Sequence, residues 1–366
     1  SVLKVYEDVR WTIPDDFLQR SHFERVVRRL DWTSSPGYPY LLRDPNNASF
    51  FRAKDGIPSP ERLDFVWQIV ESRLAGADPD PIRLFVKPEA HSSRKLEQCR
   101  YRLISSVSVV DQLIDHMLFD SLNDLMTENW IRIPNKVGWS PLLGGWRFMP
   151  KETWIATDAS SWDWTVRPWL LELAFELRVG LCRNMNQSWY DLAKKRYEEL
   201  FAHPVFVTSG GLLLRQKTPG VMKSGCVNTI ADNSLMQTIL HMRVSQDLDI
   251  PAEPLFVMGD DRLQRPMARE DEYYDLTSQF CILKSKTRVN EFAGFRFSGR
   301  SVEPVHKGKH AFNLLHANEE FIGQIAESYA INYHRSQFRD WMVGMFQAMG
   351  LELSTPAFRD MIFDGL

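Results

Sequence analysis

Three observations predict an α+β fold for this chain. Apolar residues recur at helical spacing in four separate stretches, short strand-like runs lie between them, and the two do not alternate as regular βαβ units. A length of 366 residues is enough for two or three subdomains with a sizeable core. With 44% hydrophobic and 25% charged residues, the balance is globular and excludes wholesale disorder. Twelve Trp and 22 Phe point to large packed or stacking surfaces.

The elements follow in order. Residues 1–80 are rich in turns and proline, as in Ser34-Ser35-Pro36-Gly37 and Asp78-Pro79-Asp80-Pro81, and predict loops and short elements. From Val109 to Thr127 a helix is predicted by Val110, Leu113, Ile114, Met117 and Leu118. Trp154-Ile155-Ala156-Thr157 reads as a strand ending at Asp158. Pro168 sits where a helix can begin, with Leu170, Leu173, Ala174, Leu177 and Leu181 as its apolar stripe. Another helix follows Gly225, with Ala231, Leu235, Ile239 and Met242 predicted on its buried face. A hairpin turns at Gly259, and Phe292–Phe297 reads as one strand ending at Ser298-Gly299. The last 60 residues read as helical, with Phe338, Trp341, Met342, Met345 and Phe346 as a core stripe.

A net charge of −3 advertises no nucleic-acid binder, although a basic groove can coexist with an acidic exterior. Cys99, Cys182, Cys226 and Cys281 are far apart, without zinc spacing or a disulfide framework, which fits a reduced, cytoplasmic-type compartment. No signal peptide is visible, and no apolar run approaches the ~18 residues that span a bilayer. Ser1 in place of Met reads either as a processed terminus or as an arbitrary boundary.

The chemistry gathers at Gly259-Asp260-Asp261, reached through the apolar run Leu255-Phe256-Val257-Met258. Adjacent carboxylates repel, so a fold keeps them together mainly beside a cation. Taken alone, the tripeptide is also an ordinary Asp-rich turn. Asp158 ends a strand, and Asp163 follows five positions later. Two ions about 3.5–4 Å apart can activate a 3′-hydroxyl and stabilise a leaving pyrophosphate when carboxylates from separate strands hold them. Asp158 with Asp260 and Asp261 would supply that set.

Between them, Thr229 and Asn233 are four apart on one helix face, and Ser224-Gly225 precedes the helix where backbone can approach a ligand closely. Arg83, Lys87, Arg94, Lys95, Arg100 and Arg102 lie within twenty residues against Glu89 and Glu97. Like charges this dense repel unless a polyanion neutralises them. The nine histidines have no metal-ligand spacing.

Read in order, these segments resemble the motifs of viral RNA-dependent RNA polymerases of positive-strand RNA viruses. Sobemovirus, barnavirus and polerovirus-like enzymes are closest in pattern, and picornavirus polymerases are more distant. The resemblance spans roughly Asp31 to Gly299. Asp158 to Asp163 looks like motif A; Ser224-Gly225, Thr229 and Asn233 like motif B; Gly259-Asp260-Asp261 like motif C. Lys87-Pro88-Glu89, Lys95, Arg100 and Arg102-Leu103-Ile104 look like motif F, and Thr33 to Tyr40 is similar to motif G. Lys284-Ser285-Lys286 and Phe292 to Phe295 fall where motifs D and E belong, with either lysine a candidate. Met258 replaces a common Tyr, and Arg262 a small polar residue, which bears on primer-strand contacts.

The resemblance implies a right hand: fingers at 1–150 and 184–223, an antiparallel palm backed by helices at 151–183 and 224–300, and a small thumb at 301–366. It implies RNA-templated RNA synthesis from ribonucleoside triphosphates with Mg²⁺ or Mn²⁺ on Asp158, Asp260 and Asp261. Asp163, Ser224, Gly225, Thr229 and Asn233 would bind the ribose. Lys87, Lys95, Arg100 and Arg102, with Ser35 and Gly37, would meet triphosphate and template. Lys284 or Lys286 would protonate the leaving pyrophosphate. Trp162 and Trp164, flanking Asp163, are expected to be packing residues. Implied partners are template and product RNA, a genome-linked protein primer and other viral replication proteins, at replication complexes in the host cytoplasm. A reverse transcriptase, an inert RNA-binding subunit of the same shape and a metal-dependent nuclease are the competing readings.

Overall fold

The computed structural model describes residues 1–365. Its helices of eight or more residues are α1 (Arg20–Val27), α2 (Pro60–Leu74), α3 (Val109–Glu128), α4 (Pro168–Leu181), α5 (Gln187–Phe201), α6 (Thr229–Asp247), α7 (Glu270–Thr277), α8 (Lys307–Leu315), α9 (Ile322–Asn332), α10 (Arg339–Ala348) and α11 (Pro356–Asp364). The strands are β1 (Ile82–Val86), β2 (Leu103–Ser106), β3 (Ile155–Ala159), β4 (Val205–Thr208), β5 (Leu213–Arg215), β6 (Leu255–Met258), β7 (Asp261–Gln264), β8 (Leu283–Thr287), β9 (Glu291–Phe292), β10 (Phe295–Ser298) and β11 (Ser301–Pro304). They form three sheets, ordered β2-β1-β4-β5, β6-β7-β3-β8 and β11-β10-β9.

The β6-β7-β3-β8 sheet is antiparallel throughout and is backed by α6, which packs on both β6 and α4. Local chemistry sets the helix starts. Ser108 caps α3 by accepting the Asp111 amide hydrogen, and Pro168 occupies the first turn of α4. Despite the turn-rich composition of residues 1–80, α2 runs for 15 residues from a Ser59 cap and a Pro60 start.

On α4, Leu170, Ala174, Leu177 and Leu181 are buried as predicted, whereas Leu173 is 45% exposed. The α6 helix is not amphipathic, because 13 of its 19 residues are buried, six of them polar or charged apart from Ser245. Met242, predicted on its buried face, is only half-buried. Asp232 is tolerated inside because Arg178 holds it at 2.7 Å and the Tyr197 hydroxyl donates to it at 2.7 Å.

The expected strand over Phe292–Phe297 is instead a hairpin. Ala293 and Gly294 take positive φ, so Phe292 pairs back on Phe295. In the helical C-terminal region Met342 and Phe346 are buried, but Phe338 and Trp341 are exposed, Trp341 by 63%. Among the described residues no helix is long and apolar enough to cross a membrane.

Candidate active site

The strand register brings distant aspartates together. Ile155, Ala156 and Thr157 of β3 face Gln264, Leu263 and Arg262 of β7, a register that directs the next residue, Asp158, toward Asp261, whose carboxyl feels the Asp158 charge. Directly paired antiparallel residues have Cα atoms about 4.5–5.5 Å apart. Met258 pairs with Asp261, leaving Gly259-Asp260 as a two-residue turn. Gly259 has φ +66°, a conformation glycine adopts without strain. From α6, Ser234 Oγ accepts the Gly259 amide hydrogen at 2.9 Å, and Gln237 Nε2 donates to the Asp260 carbonyl at 3.3 Å. Partial desolvation within the turn, then the Asp260 and Asp158 carboxylates, push the Asp261 carboxyl up to about 6, although the residue keeps an exposed surface.

Brought together around one ion, these three carboxylates would supply an all-oxygen donor set, which suits a hard divalent cation. Among the described residues no three His, Cys, Asp or Glu side chains already converge as a metal cage. Asp158 turns instead to the Lys284 ammonium, 2.5 Å from Oδ2. A bulge explains the reach of Lys284. Asp158 pairs with Ser285 and Ala159 with Leu283, so Lys284 is the extra residue. Lys286 pairs with Glu270 and Asp271 of α7 and lies over the Tyr274 ring, away from the three aspartates.

Beside the turn, Asn233 Nδ2 donates to Asp163 Oδ1 at 2.8 Å. Burial raises the Asp163 carboxyl above its usual range and Asp260 adds to the rise, while the Asn233 hydrogen bond and Arg102 oppose it. Asp163, Asp260 and Arg102 therefore share one electrostatic neighbourhood. The Thr229 hydroxyl is engaged with the backbone carbonyls of Lys223 and Cys226 at the start of α6. Ser224 Oγ accepts the Ser105 amide hydrogen at 3.0 Å. Gly225 lies so close to β2 that a Cβ there would meet the Ser105 carbonyl oxygen at 2.4 Å.

This seam ties β2, which begins just after Arg102, to the segment leading into α6. Glu89 bridges Lys87 at 3.0 Å and Arg102 at 3.2 Å. Burial disfavours its charge, yet those two cations hold Glu89 below its usual range. Lys95 and Arg100 are exposed at the short helical turn over Ser93–Glu97. Ser35 is exposed, and Gly37 is buried against the backbone of Val107 and Ser108.

Two positions differ from the reading of the sequence, and a third, Trp162, packs as expected while doing more. Arg262 is buried beneath the sheet and bonded to Gln264 and Tyr273, because alternation along β7 turns it away from the Asp261 face. Trp164 is 52% exposed rather than packed. Trp162 is buried but also polar in function, donating Nε1–H to Asn233 Oδ1 at 3.0 Å. The sequence does not mark Ser234 and Gln237, because α6 buries polar and apolar residues alike and has no distinct polar face.

An acidic hairpin turn beside a strand-borne aspartate, held from behind by a polar helix, is the arrangement that the sequence reading expects of a right-hand polymerase fold. A solved structure of that class, "Sicinivirus 3Dpol RNA dependent RNA polymerase", matches with a TM-score of 0.73, covering 92% of this chain and 78% of that one at 19% identity. The family model described as viral RNA-dependent RNA polymerase matches residues 19–280, and the chain belongs to that family. Similar curated proteins include "Protein P1-P2" of Turnip yellows virus, 34% identical over 80% of this chain and 30% of that protein. "Protein P1-P2" of Potato leafroll virus (strain Potato/Netherlands/Wageningen/1989) is 33% identical over 65% of this chain and 23% of that protein. "Replicase polyprotein P2AB" of Southern bean mosaic virus is 36% identical over 50% of this chain and 19% of that protein. The chain thus matches less than a third of the length of these curated relatives.

Proposed function

We propose that this chain copies an RNA template into RNA from ribonucleoside triphosphates. The observation that carries the proposal is the register that directs Asp158 toward the Asp260-Asp261 turn, with the Asp163–Asn233 pair alongside. In this reading residues 1–150 and 184–223 are fingers, 151–183 and 224–300 the palm, and 301–366 the thumb.

Asp158, Asp260 and Asp261 would hold divalent ions, Mg²⁺ or Mn²⁺. Bound there, such ions would favour ionisation of the primer 3′-hydroxyl and offset charge on the phosphates. Arg102 and Lys87 would exchange their Glu89 contacts for the incoming triphosphate, with Lys95 and Arg100 extending the basic path. The Asp163–Asn233 pair would bind the 2′-hydroxyl. A site built to hydrogen-bond a hydroxyl disfavours the analogue lacking it, because its polar groups are left unpaired. Lys284 would supply a proton to the leaving pyrophosphate, a role its place beside Asp158 favours over Lys286.

A carboxylate–amide pair at the sugar position argues against a reverse transcriptase, which generally carries a bulky aromatic there. Synthesis would start from a genome-linked protein primer, de novo or on a folded-back template, and the 5′ end of the product tells these apart. The test is extension of a labelled RNA primer on a defined RNA template with Mg²⁺ or Mn²⁺. Template-dependent product from the intact protein, and loss of about 10³-fold in rate for Asp260→Asn with an unchanged circular dichroism spectrum, is expected. Near-normal synthesis by that variant would refute the assignment. Primer shortening instead of extension would make the protein a nuclease.

A further inference from the structure

Trp162, Asp163 and Asn233 close a small ring of contacts across two elements. Trp162 and Asp163 are neighbours after β3, and Asn233 faces them from α6. The Trp162 indole is 3% exposed, and its Nε1–H ends on Asn233 Oδ1 at 3.0 Å. Asn233, itself 4% exposed, spends its Nδ2 on Asp163 Oδ1 at 2.8 Å.

The chemistry of the ring is directional. An indole N–H can only donate, so it faces the oxygen end of the amide. The nitrogen end is thereby turned to Asp163, whose ionised carboxylate can only accept. Reversing the amide would put nitrogen against N–H and oxygen against carboxylate oxygen, two repulsive contacts in a water-poor site.

We propose that Trp162 is a positioning residue for sugar selection, fixing the amide orientation of Asn233 so that the Asp163–Asn233 pair presents one defined hydrogen-bonding face to a ribose 2′-hydroxyl. This rests on the polymerase reading above and assigns to the indole a polar task that packing alone does not need. Phenylalanine at position 162 would remove the donor together with the fused pyrrole ring, so the packing loss at this buried site has to be separated from the loss of the hydrogen bond.

The test compares kcat/KM for ATP and 2′-deoxy-ATP in single-nucleotide primer extension by the intact chain and by Trp162→Phe. The ratio should fall about three- to tenfold, as loss of one buried hydrogen bond predicts, mainly through slower ribonucleotide use. A double-mutant cycle separates positioning from bulk packing. On an Asn233→Ala background Trp162→Phe should leave the ratio where Asn233→Ala alone has put it. An unchanged ratio in Trp162→Phe, or a full additional drop in the double variant, overturns the proposal.

A second measurement needs neither activity nor the Trp162 variant. The Trp162 indole ¹H–¹⁵N resonance should shift when Asn233 becomes Ala, and a resonance that stays in place also overturns the proposal. If the unsubstituted protein extends no primer, the polymerase reading fails on that result alone. If it extends primers while the ratio ignores Trp162, only the indole's role fails.

Discussion

The Lys284 ammonium lies 2.5 Å from Asp158 Oδ2, closing on one of the three carboxylates proposed to hold metal. It reaches there because the β8 bulge leaves Lys284 without a partner on β3. Both side chains are open to solvent, so the contact contributes little to stability. Its weight falls on cation binding, since the ammonium and a divalent ion compete for one oxygen. Replacing Lys284 by Ala should lower the Mg²⁺ concentration for half-maximal synthesis by about fivefold, as removal of one nearby positive charge predicts. Maximal rate should fall with it if Lys284 is the proton donor. A Mg²⁺ titration of primer extension reads both effects.

Ser234 supports the acidic turn from inside α6. Its Oγ accepts from the Gly259 amide and donates to the Ile230 carbonyl at 2.7 Å. Ser234→Ala leaves the Gly259 amide without that partner. It should cost about 1–3 kcal/mol in urea unfolding and reduce extension through a looser Asp260.

Gly225 is the close-approach point between β2 and the start of α6. A methyl group there must displace the Ser105 carbonyl, which lies 2.4 Å from the Cβ position. Gly225→Ala should destabilise the protein by about 1–3 kcal/mol. It should also raise the KM for nucleotide, because Arg102 leads directly into β2. Steady-state kinetics with varied nucleotide separates that KM effect from any change in kcat.

His241 gives the pH dependence its sign. Its Nε2 contacts the Glu253 carbonyl at 2.9 Å, so that nitrogen carries the proton and Nδ1 accepts from the Tyr273 hydroxyl at 2.7 Å. Burial, then the Arg262 charge, push the imidazole down from 6.5 to about 3. Between those values the unfolded chain binds a proton that the folded one refuses. The stability from this site is full above pH 6.5 and is lost as pH falls toward 3. Urea unfolding across this range should show a shallower acid loss for His241→Gln than for the parent, by at most about 1.4 kcal/mol per pH unit.

Much of this was legible in the sequence where local chemistry dominates. The apolar repeat from Val110 to Leu118, Pro168 at a first turn and a strand entering Gly259-Asp260-Asp261 each fix their own surroundings. What escaped depends on tertiary placement. Phe292 and Phe295 look like one strand until Ala293 and Gly294 take positive φ. Leu173 and Trp341 match their stripes in spacing, yet both stay exposed. Lys284 and Lys286 look equivalent because alternation puts them on one side, and only a bulge in the pairing separates them. The buried Arg262 follows from strand parity, but its partner Tyr273 comes from a helix that the local pattern does not connect to it.

One stretch of α6 performs two tasks within five residues. Asn233 bonds Asp163, the aspartate proposed to read the sugar, while Ser234 and Gln237 grip the acidic turn. Successive residues on a helix are about 100° apart, so these side chains are spokes of a single axle. A twist that improved one grip would swing the other out of line. If Asp163 reads the sugar and the Asp260-Asp261 turn holds the ions, as proposed, sugar choice and placement of that turn are mechanically geared, and variants that relax one are expected to disturb the other.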